Sequence, residues 1–294
     1  MNRQVLIVGG TGFIGSEISK EFLRLGDEVT LFHRNLSEGA YKNSNVVHLL
    51  GDRANPPAEL KRRNFDVVID TCGFRPSEFH ILDSLVTQHY IFVSSVAVFS
   101  KNIPQFAIES APKIDEDGLD LSSDYANLDK HQRYGILKLA CEKHVRSHFG
   151  NSSIVRPSVV LGKNENSGRL AHLYNLPKID ASIPLNSERR FQFIDVSDLA
   201  SLITRVAENH PGKDYNLVGP SLSWHEFVQT FSAVFNIKNV IAGENETEFP
   251  FWDAYPNTGI RSLTSNFSWI SQYEFKNLTK SLLQFKSNYS SSIL

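Results

Sequence analysis

Residues 5–15 read Val5-Leu6-Ile7-Val8-Gly9-Gly10-Thr11-Gly12-Phe13-Ile14-Gly15. An apolar run leads straight into a glycine-rich turn. Ile14, Ile18, Phe22 and Leu25 then recur at helical spacing until Gly26 stops the pattern. The stretch predicts a strand, a tight turn and the start of a helix. Backbone N–H groups at a helix N-terminus are unpaired, and the helix dipole adds partial positive charge there. Glycine at 9, 12 and 15 removes the β-carbons that would obstruct the turn, the approach of phosphates and the packing of helix on strand. Such a turn is a cradle for the pyrophosphate of a dinucleotide.

The composition of the whole chain sets bounds on this reading. The chain has 294 residues, 41% hydrophobic and 21% charged, which suits one large or two modest globular domains. A net charge of −2 supplies no basic excess to neutralise a phosphate backbone, which argues against nucleic acid as the main partner. The two cysteines, Cys72 and Cys141, have no zinc or redox spacing, so no metal site is expected and the thiols read as buried or free. Met1-Asn2-Arg3-Gln4 runs into the first strand without a signal-peptide pattern, and no apolar run reaches membrane-spanning length. The expected location is the reducing cytoplasm, away from membranes.

Short β-rich runs alternate with helical stretches through the first half. Val29–Phe32, Val46–Leu49, Val67–Asp70, His89–Ser94 and Ser153–Arg156 read as further strands. Phe79, Leu82, Leu85 and Val86 read as a helix before the fifth strand. Alternation of this kind implies right-handed crossovers and a doubly wound parallel α/β sheet of Rossmann type, with ligands beyond the carboxyl ends of the strands. Residues 1–165 are expected to form the dinucleotide-binding domain, with a returning strand near 215–218. Residues 166–294 are expected to form mainly a smaller C-terminal substrate-binding domain. Ile194–Ala207 and Trp224–Phe235 read as helices, and the long polar stretch Ser100–Arg133 reads as a functional loop or a disordered one.

Tyr134-Gly135-Ile136-Leu137-Lys138 opens a helix that continues through His148. Residues four apart share a helix face, so phenol and ammonium point the same way. A phenol is a poor acid–base group at neutral pH unless a cation favours the phenolate. The pair follows a strand ending in Val93-Ser94-Ser95, where a hydroxyl on a rigid support suits a hydrogen bond to a substrate oxygen.

With these motifs the chain resembles the short-chain dehydrogenase/reductase superfamily, in particular its extended, NAD-dependent epimerase/dehydratase-like branch. The resemblance covers nearly the whole length. Besides the motifs above it rests on Arg156-Pro157-Ser158-Val159-Val160-Leu161-Gly162 and on Phe193-Ile194-Asp195-Val196-Ser197-Asp198-Leu199-Ala200. It implies a catalytic set of Ser95, Tyr134 and Lys138. Tyr134 would be the proton-transfer group, Lys138 would lower its pKa and hold the nicotinamide ribose, and Ser95 would bond the substrate oxygen, with Ser94 as the alternative. Cofactor contacts are implied for Gly9, Thr11, Gly12, Phe13, Ile14 and Gly15, for His33 and Arg34, and for Asp52 and Arg53 near the adenine. Thr71, Cys72, Gly73 and Ser94 would line the cleft, and Pro157, Ser158 and Val159 would border the nicotinamide. For Asp52 a solvated loop carboxylate is an equal reading. Relatives often form a homodimer through the helix of the Tyr-Lys pair. Apolar Ile136, Leu137, Leu139, Ala140 and Val145 on more than one face of that helix are compatible with it or with burial inside one chain.

Strand two ends Leu31-Phe32-His33-Arg34, without the acid that accepts from a ribose 2′-hydroxyl. Arg34 suits a 2′-phosphate, so NADP(H) is favoured over NAD(H), although an arginine stacked on adenine would serve either. The positions of the dehydratase Asp-Glu pair hold Val96 and Ala97, which cannot move protons. The expected activity is hydride transfer between NAD(P) and a ketone or secondary alcohol. Sugar-nucleotide 4-epimerisation with tightly held NAD is the alternative. The other classes are a non-catalytic NAD(P)-binding protein and an RNA-associated protein. A small-molecule substrate, a sugar or sugar nucleotide among the options, would meet Ser95. Two further residues are substrate candidates: Arg190, one position off the family's phosphate-holding arginine, and Trp252, in an aromatic cluster that is either cleft wall or core.

Overall fold

A computed structural model describes residues 2–35, 46–53, 56–79, 85–100, 103–114, 117–128, 130–175, 183–184, 190–209, 212–238, 240–241 and 263–291. Among these the strands are β1 (Gln4–Val8), β2 (Glu28–His33), β3 (Val46–Leu50), β4 (Asn64–Asp70), β5 (Val86–Val93), β6 (Ser152–Pro157), β7 (Val159–Leu161), β8 (Ile183–Pro184), β9 (Arg190–Asp195), β10 (Asp214–Leu217), β11 (Ser221–Ser223) and β12 (Val240–Ile241). The helices are α1 (Phe13–Arg24), α2 (Ala58–Lys61), α3 (Lys130–His148), α4 (Arg169–Asn175), α5 (Val196–Asn209), α6 (Trp224–Phe235), α7 (Ser268–Ser271) and α8 (Leu278–Ser291).

Seven strands make one parallel sheet in the order β10-β6-β5-β4-β1-β2-β3. β1 has apolar residues on both of its faces because both are covered. Val5 and Ile7 face α1 and α5, where Ile18, Phe22, Leu199, Ile203 and Val206 are buried. Leu6 and Val8 face the side that holds Phe92, Cys141, Val145 and Ile154. The chain leaves β1 toward β2 on one side and returns as β4 on the other, so the crevice at the strand carboxyl ends opens between β1 and β4. A third cluster joins β7, β9 and the C-terminal helices through Phe191, Phe193, Phe227, Phe231, Leu282 and Phe285.

Several boundaries differ from the sequence reading. Val86 opens β5 and is 64% exposed instead of packing on a preceding helix. Phe79 ends a 3-10 turn at Pro76–Glu78, and Leu82 lies outside the described residues. Ile194 and Asp195 belong to β9, since β-bridges to Val160 and Leu161 hold them extended before α5 begins. Leu25 follows the last turn of α1 and is largely exposed. α3 begins at Lys130, one turn before Tyr134. Its residues Ile136, Leu137, Leu139, Ala140 and Val145 are all buried within the single chain.

Candidate active site at the carboxyl ends of β1, β4 and β5

Gly9 has φ of +82°, and a β-carbon there would lie 2.6 Å from Thr71 Oγ1 and 3.1 Å from Cys72 Sγ. The glycine turn after β1 is thus pressed against the loop after β4. A β-carbon on Gly15 would lie 2.3 Å from the Gly9 carbonyl oxygen, so α1 closes directly onto the turn. At Gly12 the only neighbour of such a carbon among the described residues would be the Gly9 oxygen at 3.4 Å, which leaves that side open among them. No side chain caps α1, and its first turn holds no acid. The first N–H groups of α1 therefore remain available to an anion, and the turn fits a dinucleotide diphosphate. Thr11, Phe13 and Ile14 are half-buried around this opening.

From the β4 loop the site continues to α3. Lys138 is 3% exposed and donates to the carbonyls of Gly73 at 2.9 Å and Val93 at 3.0 Å. It therefore ties the loop beside the glycine turn to the end of β5, where Ser94 and Ser95 follow. Its ammonium also lies 4.8 Å from each of the Phe74 and Phe92 rings. Tyr134 is one helical turn earlier on the same face and half-buried, and among the described residues its hydroxyl makes no hydrogen bond. Gly135 seats this turn of α3. A β-carbon there would meet the Ala97 carbonyl at 2.4 Å, within the 3-10 turn Val96–Val98 that Ser95 caps.

The two serines are not equivalent. Ser94 donates to Glu142 Oε1 at 2.5 Å, which commits its proton. Ser95 Oγ accepts from the Ala97 N–H at 3.2 Å and keeps its own proton to donate. Glu142, one turn after Lys138 on the same face, escaped the sequence reading. It receives Arg156 Nε at 2.9 Å and Nη2 at 2.7 Å, and Arg156 also reaches Asp214 at 2.6 Å. The signals were in the sequence: a carboxylate at i+4 from the lysine, and an arginine within an otherwise buried strand. Glu109 was also missed. It accepts from the Asn216 and Asn266 N–H groups and from Ser265, tying the 103–114 segment to β10 and to the C-terminal chain.

The residues expected near the adenosine divide. His33 is 5% exposed, and both its ring nitrogens are committed. Nδ1 donates to the Asn35 carbonyl at 2.9 Å, so Nε2 accepts from His48 Nδ1 at 2.9 Å. Burial lowers its pKa, which keeps the ring neutral. Arg34, next to it, is exposed, and among the described residues it makes no hydrogen bond or ion pair. Asp27, just before β2, is taken by Arg3 at 3.0 and 2.5 Å. Asp52 is exposed, while Arg53 forms a two-pronged ion pair with fully buried Asp70 at 2.9 and 3.0 Å. Tyr90 donates to the same carboxylate at 2.7 Å. Arg53 thus holds up the loop of Cys72 from beneath.

Other residues expected at the site make bonds or packing contacts within the chain. The Thr71 hydroxyl donates to the Val8 carbonyl at 2.9 Å. Pro157 ends β6, Ser158 Oγ accepts from the Gly219 N–H at 3.4 Å, and Val159 is buried in the C-terminal core. Arg190 donates to the Ser221 carbonyl at 3.0 Å. One position on, Phe191 is 4% exposed and packs edge-on against Phe227. Trp252 lies outside the described residues. Among the described residues no group of three or more His, Cys, Asp or Glu side chains suits a metal, and no helix is long and apolar enough to cross a membrane.

A parallel sheet of this order, with a glycine cradle at its switch point and a Tyr-x-x-x-Lys helix beside it, defines a short-chain dehydrogenase/reductase-type dinucleotide-binding fold. The model of the NAD dependent epimerase/dehydratase family matches residues 5–218, and the chain belongs to that family. Its relatives include the chloroplast stem-loop binding protein of 41 kDa b of Arabidopsis thaliana, 29% identical over 226 residues. That match spans 70% of this chain and 56% of the relative. The epimerase family protein SDR39U1 of Homo sapiens is 26% identical over 250 residues, 78% of this chain and 80% of that one. Among solved structures, a UDP-N-acetylglucosamine 4-epimerase from Methanobrevibacter ruminantium M1, in complex with UDP-N-acetylmuramic acid, superposes with a TM-score of 0.74. It is 19% identical, and the match covers 99% of each chain. The Bordetella bronchiseptica enzyme WbmH, in complex with NAD+, gives 0.73 at 16% identity over 99% of this chain and 100% of its own.

Proposed function

We propose that this chain is an NAD(P)-dependent oxidoreductase acting on a ketone or secondary alcohol through Ser95, Tyr134 and Lys138. The carrying observation is the Lys138 ammonium, bonded at once to the loop beside the glycine cradle and to the strand end that leads to Ser95. A bound nicotinamide supplies the hydride donor or acceptor. The N–H groups opening α1 receive the diphosphate. An ammonium has three donors, and with two used Lys138 retains one N–H for a ribose hydroxyl. Ser95 donates its remaining proton to the substrate oxygen and fixes it. Tyr134 gives that oxygen a proton in reduction and takes one in oxidation. General acid–base assistance of this kind contributes about 10²–10⁴ in rate.

The same residues support 4-epimerisation, the chemistry named for one of the structural neighbours. Arg190 and Phe191 favour the simpler reaction. Arg190, one position off the family's phosphate-holding arginine, donates to the Ser221 carbonyl, and Phe191 beside it is sealed in the C-terminal core. Exposed Arg34, with neutral His33 and no acid at the end of β2, supports NADP(H) over NAD(H). We place the reaction in a reducing compartment such as the cytoplasm.

The test is turnover of a panel of ketones and secondary alcohols with NADPH and NADH, followed by nicotinamide absorbance. Tyr134→Phe should lower kcat by about 100-fold or more while dinucleotide binding persists. A loss of only a few-fold rejects the assignment. Arg34→Ala should weaken NADPH binding about tenfold and leave NADH binding unchanged, the scale of one charged hydrogen bond.

A further inference from the structure

Lys138 is a buried cation that pairs with no carboxylate among the described residues. Burying a charge is costly unless other groups replace its water. Here the replacement is two carbonyl oxygens and two aromatic faces. Phe92 is fully buried on β5, whereas Phe74 is 49% exposed on the loop after Gly73. The position of Phe74 is enforced from both sides. Its N–H donates to Glu78 Oε2 at 2.8 Å, and the Arg75 N–H reaches the same oxygen at 3.3 Å. Gly73 is pinned by Lys138 on its carbonyl, and any β-carbon there would lie 2.4 Å from the Phe79 ring. A loop clamped in this way delivers a half-exposed ring onto the ammonium.

We propose that Phe74 is a positioning residue for the reaction: with Phe92 it closes an aromatic box that keeps the Lys138 ammonium dry and fixed beside Tyr134. This rests on the roles given to Tyr134 and Lys138 above. An aromatic face attracts a cation, and more strongly when water is excluded. The Lys138 charge also acts more strongly on the phenol one turn away when the space around it has a low dielectric. With an alanine at 74, water reaches the ammonium, its charge is screened and the side chain gains freedom.

The other ionisable groups around the ammonium do not mimic this effect. Burial pushes the Cys72 thiol on the loop up to about 11 and the Cys141 thiol on α3 up to about 12, so both stay neutral at working pH. Glu142 is held by Arg156 and Ser94, Asp70 by Arg53 and Tyr90, and Glu78 by the two loop N–H groups.

The experiment compares Phe74→Ala, Phe74→Leu and Phe74→Tyr in the full chain. One readout needs no turnover: the rate at which Lys138 is acetylated by an N-hydroxysuccinimide ester, followed by peptide mass spectrometry. It should rise about tenfold in the alanine variant. The other is the pH–rate profile of alcohol oxidation, which needs the phenolate. In Phe74→Ala its rising limb should move half a pH unit or more upward, and kcat should fall five- to tenfold with substrate KM within twofold. Phe74→Tyr, which keeps the ring face, should restore both readouts, and Phe74→Leu should restore neither. If the leucine variant matches the parent, or if the alanine variant labels no faster, the box is overturned. Should Phe74→Ala fail to fold, the leucine–tyrosine comparison decides. If the parent turns over no carbonyl or alcohol, the proposed function fails on its own and the labelling rates alone judge the box.

Discussion

Arg53 and Arg156 show how single residues brace this site through buried ion pairs. Asp70 is fully buried, and burial alone would raise its carboxyl. The Arg53 charge and its two hydrogen bonds outweigh that and hold the carboxyl below its usual range. Removing one partner of such a pair leaves the other charged and dry, which costs about 3–5 kcal/mol. Arg53→Ala is expected to lose stability on this scale in urea unfolding. Arg53→Met with Asp70→Asn should recover part of it, because no uncompensated charge remains. If Arg53 served only as a cofactor contact, the single variant would lose dinucleotide affinity and keep its unfolding midpoint. In the sequence Arg53 reads only as a cofactor contact, and its two-pronged partner 17 residues away in the chain is invisible to local spacing. The assignment of proton donor between Ser94 and Ser95 was likewise open. The long-range bond from Ser94 to Glu142, which no local spacing announces, supports the proposal of Ser95.

At the scale of elements, α3 carries both Tyr134 and Lys138, and its height over the sheet is set where it meets the 3-10 turn after Ser95. Gly135 makes that approach. With a β-carbon 2.4 Å from the Ala97 carbonyl, Gly135→Ala has to push α3 away or displace the turn. An alanine is intrinsically the better helix former by about 1 kcal/mol. The expected outcome is thus a modest change in melting temperature with a loss of kcat of about 100-fold, since a misplacement near 1 Å costs on that order. Unchanged turnover would show that the close contact does not set the geometry. The glycine turn, β1 and α6 were legible because each is specified locally, by a strand run, by glycines at fixed offsets or by a capping serine with Glu226 three residues on. Ile194 and Asp195 were misread as helix because apolar residues continue across the junction from β9 to α5. The change from strand to helix there is fixed by the Asp195 carboxylate, which accepts from the Ser197 N–H at 2.9 Å and from Ser281 on α8 at 2.7 Å.

Among the described residues several buried ionisable groups are bonded across distant parts of the chain, so the stability of the whole molecule depends on pH at identifiable points. Asp70 and Asp214 are held below their usual carboxyl range, so their contribution is complete above the unfolded-state carboxyl range and is lost progressively as pH falls from there through their lower folded values. His89 acts earlier. It lies in β5, 5% exposed, with Nε2 on Ser153 Oγ at 2.8 Å, and burial pushes its imidazole down to about 4. An unfolded histidine takes up a proton near pH 6.5, whereas the folded one stays neutral to about 4. Between these values the unfolded chain binds the extra proton, so stability falls as pH drops, by a total of about 3 kcal/mol, and this contribution is flat below the folded value. His89→Gln keeps a hydrogen-bonding group for Ser153 and removes the titration. Urea unfolding at pH 7.5 and at pH 4 (settings chosen to span roughly the two limits) should show the parent losing about 3 kcal/mol more than this variant. Equal losses in the two proteins would mean that the imidazole is already charged when folded, and the acid sensitivity would then belong to the carboxylates alone.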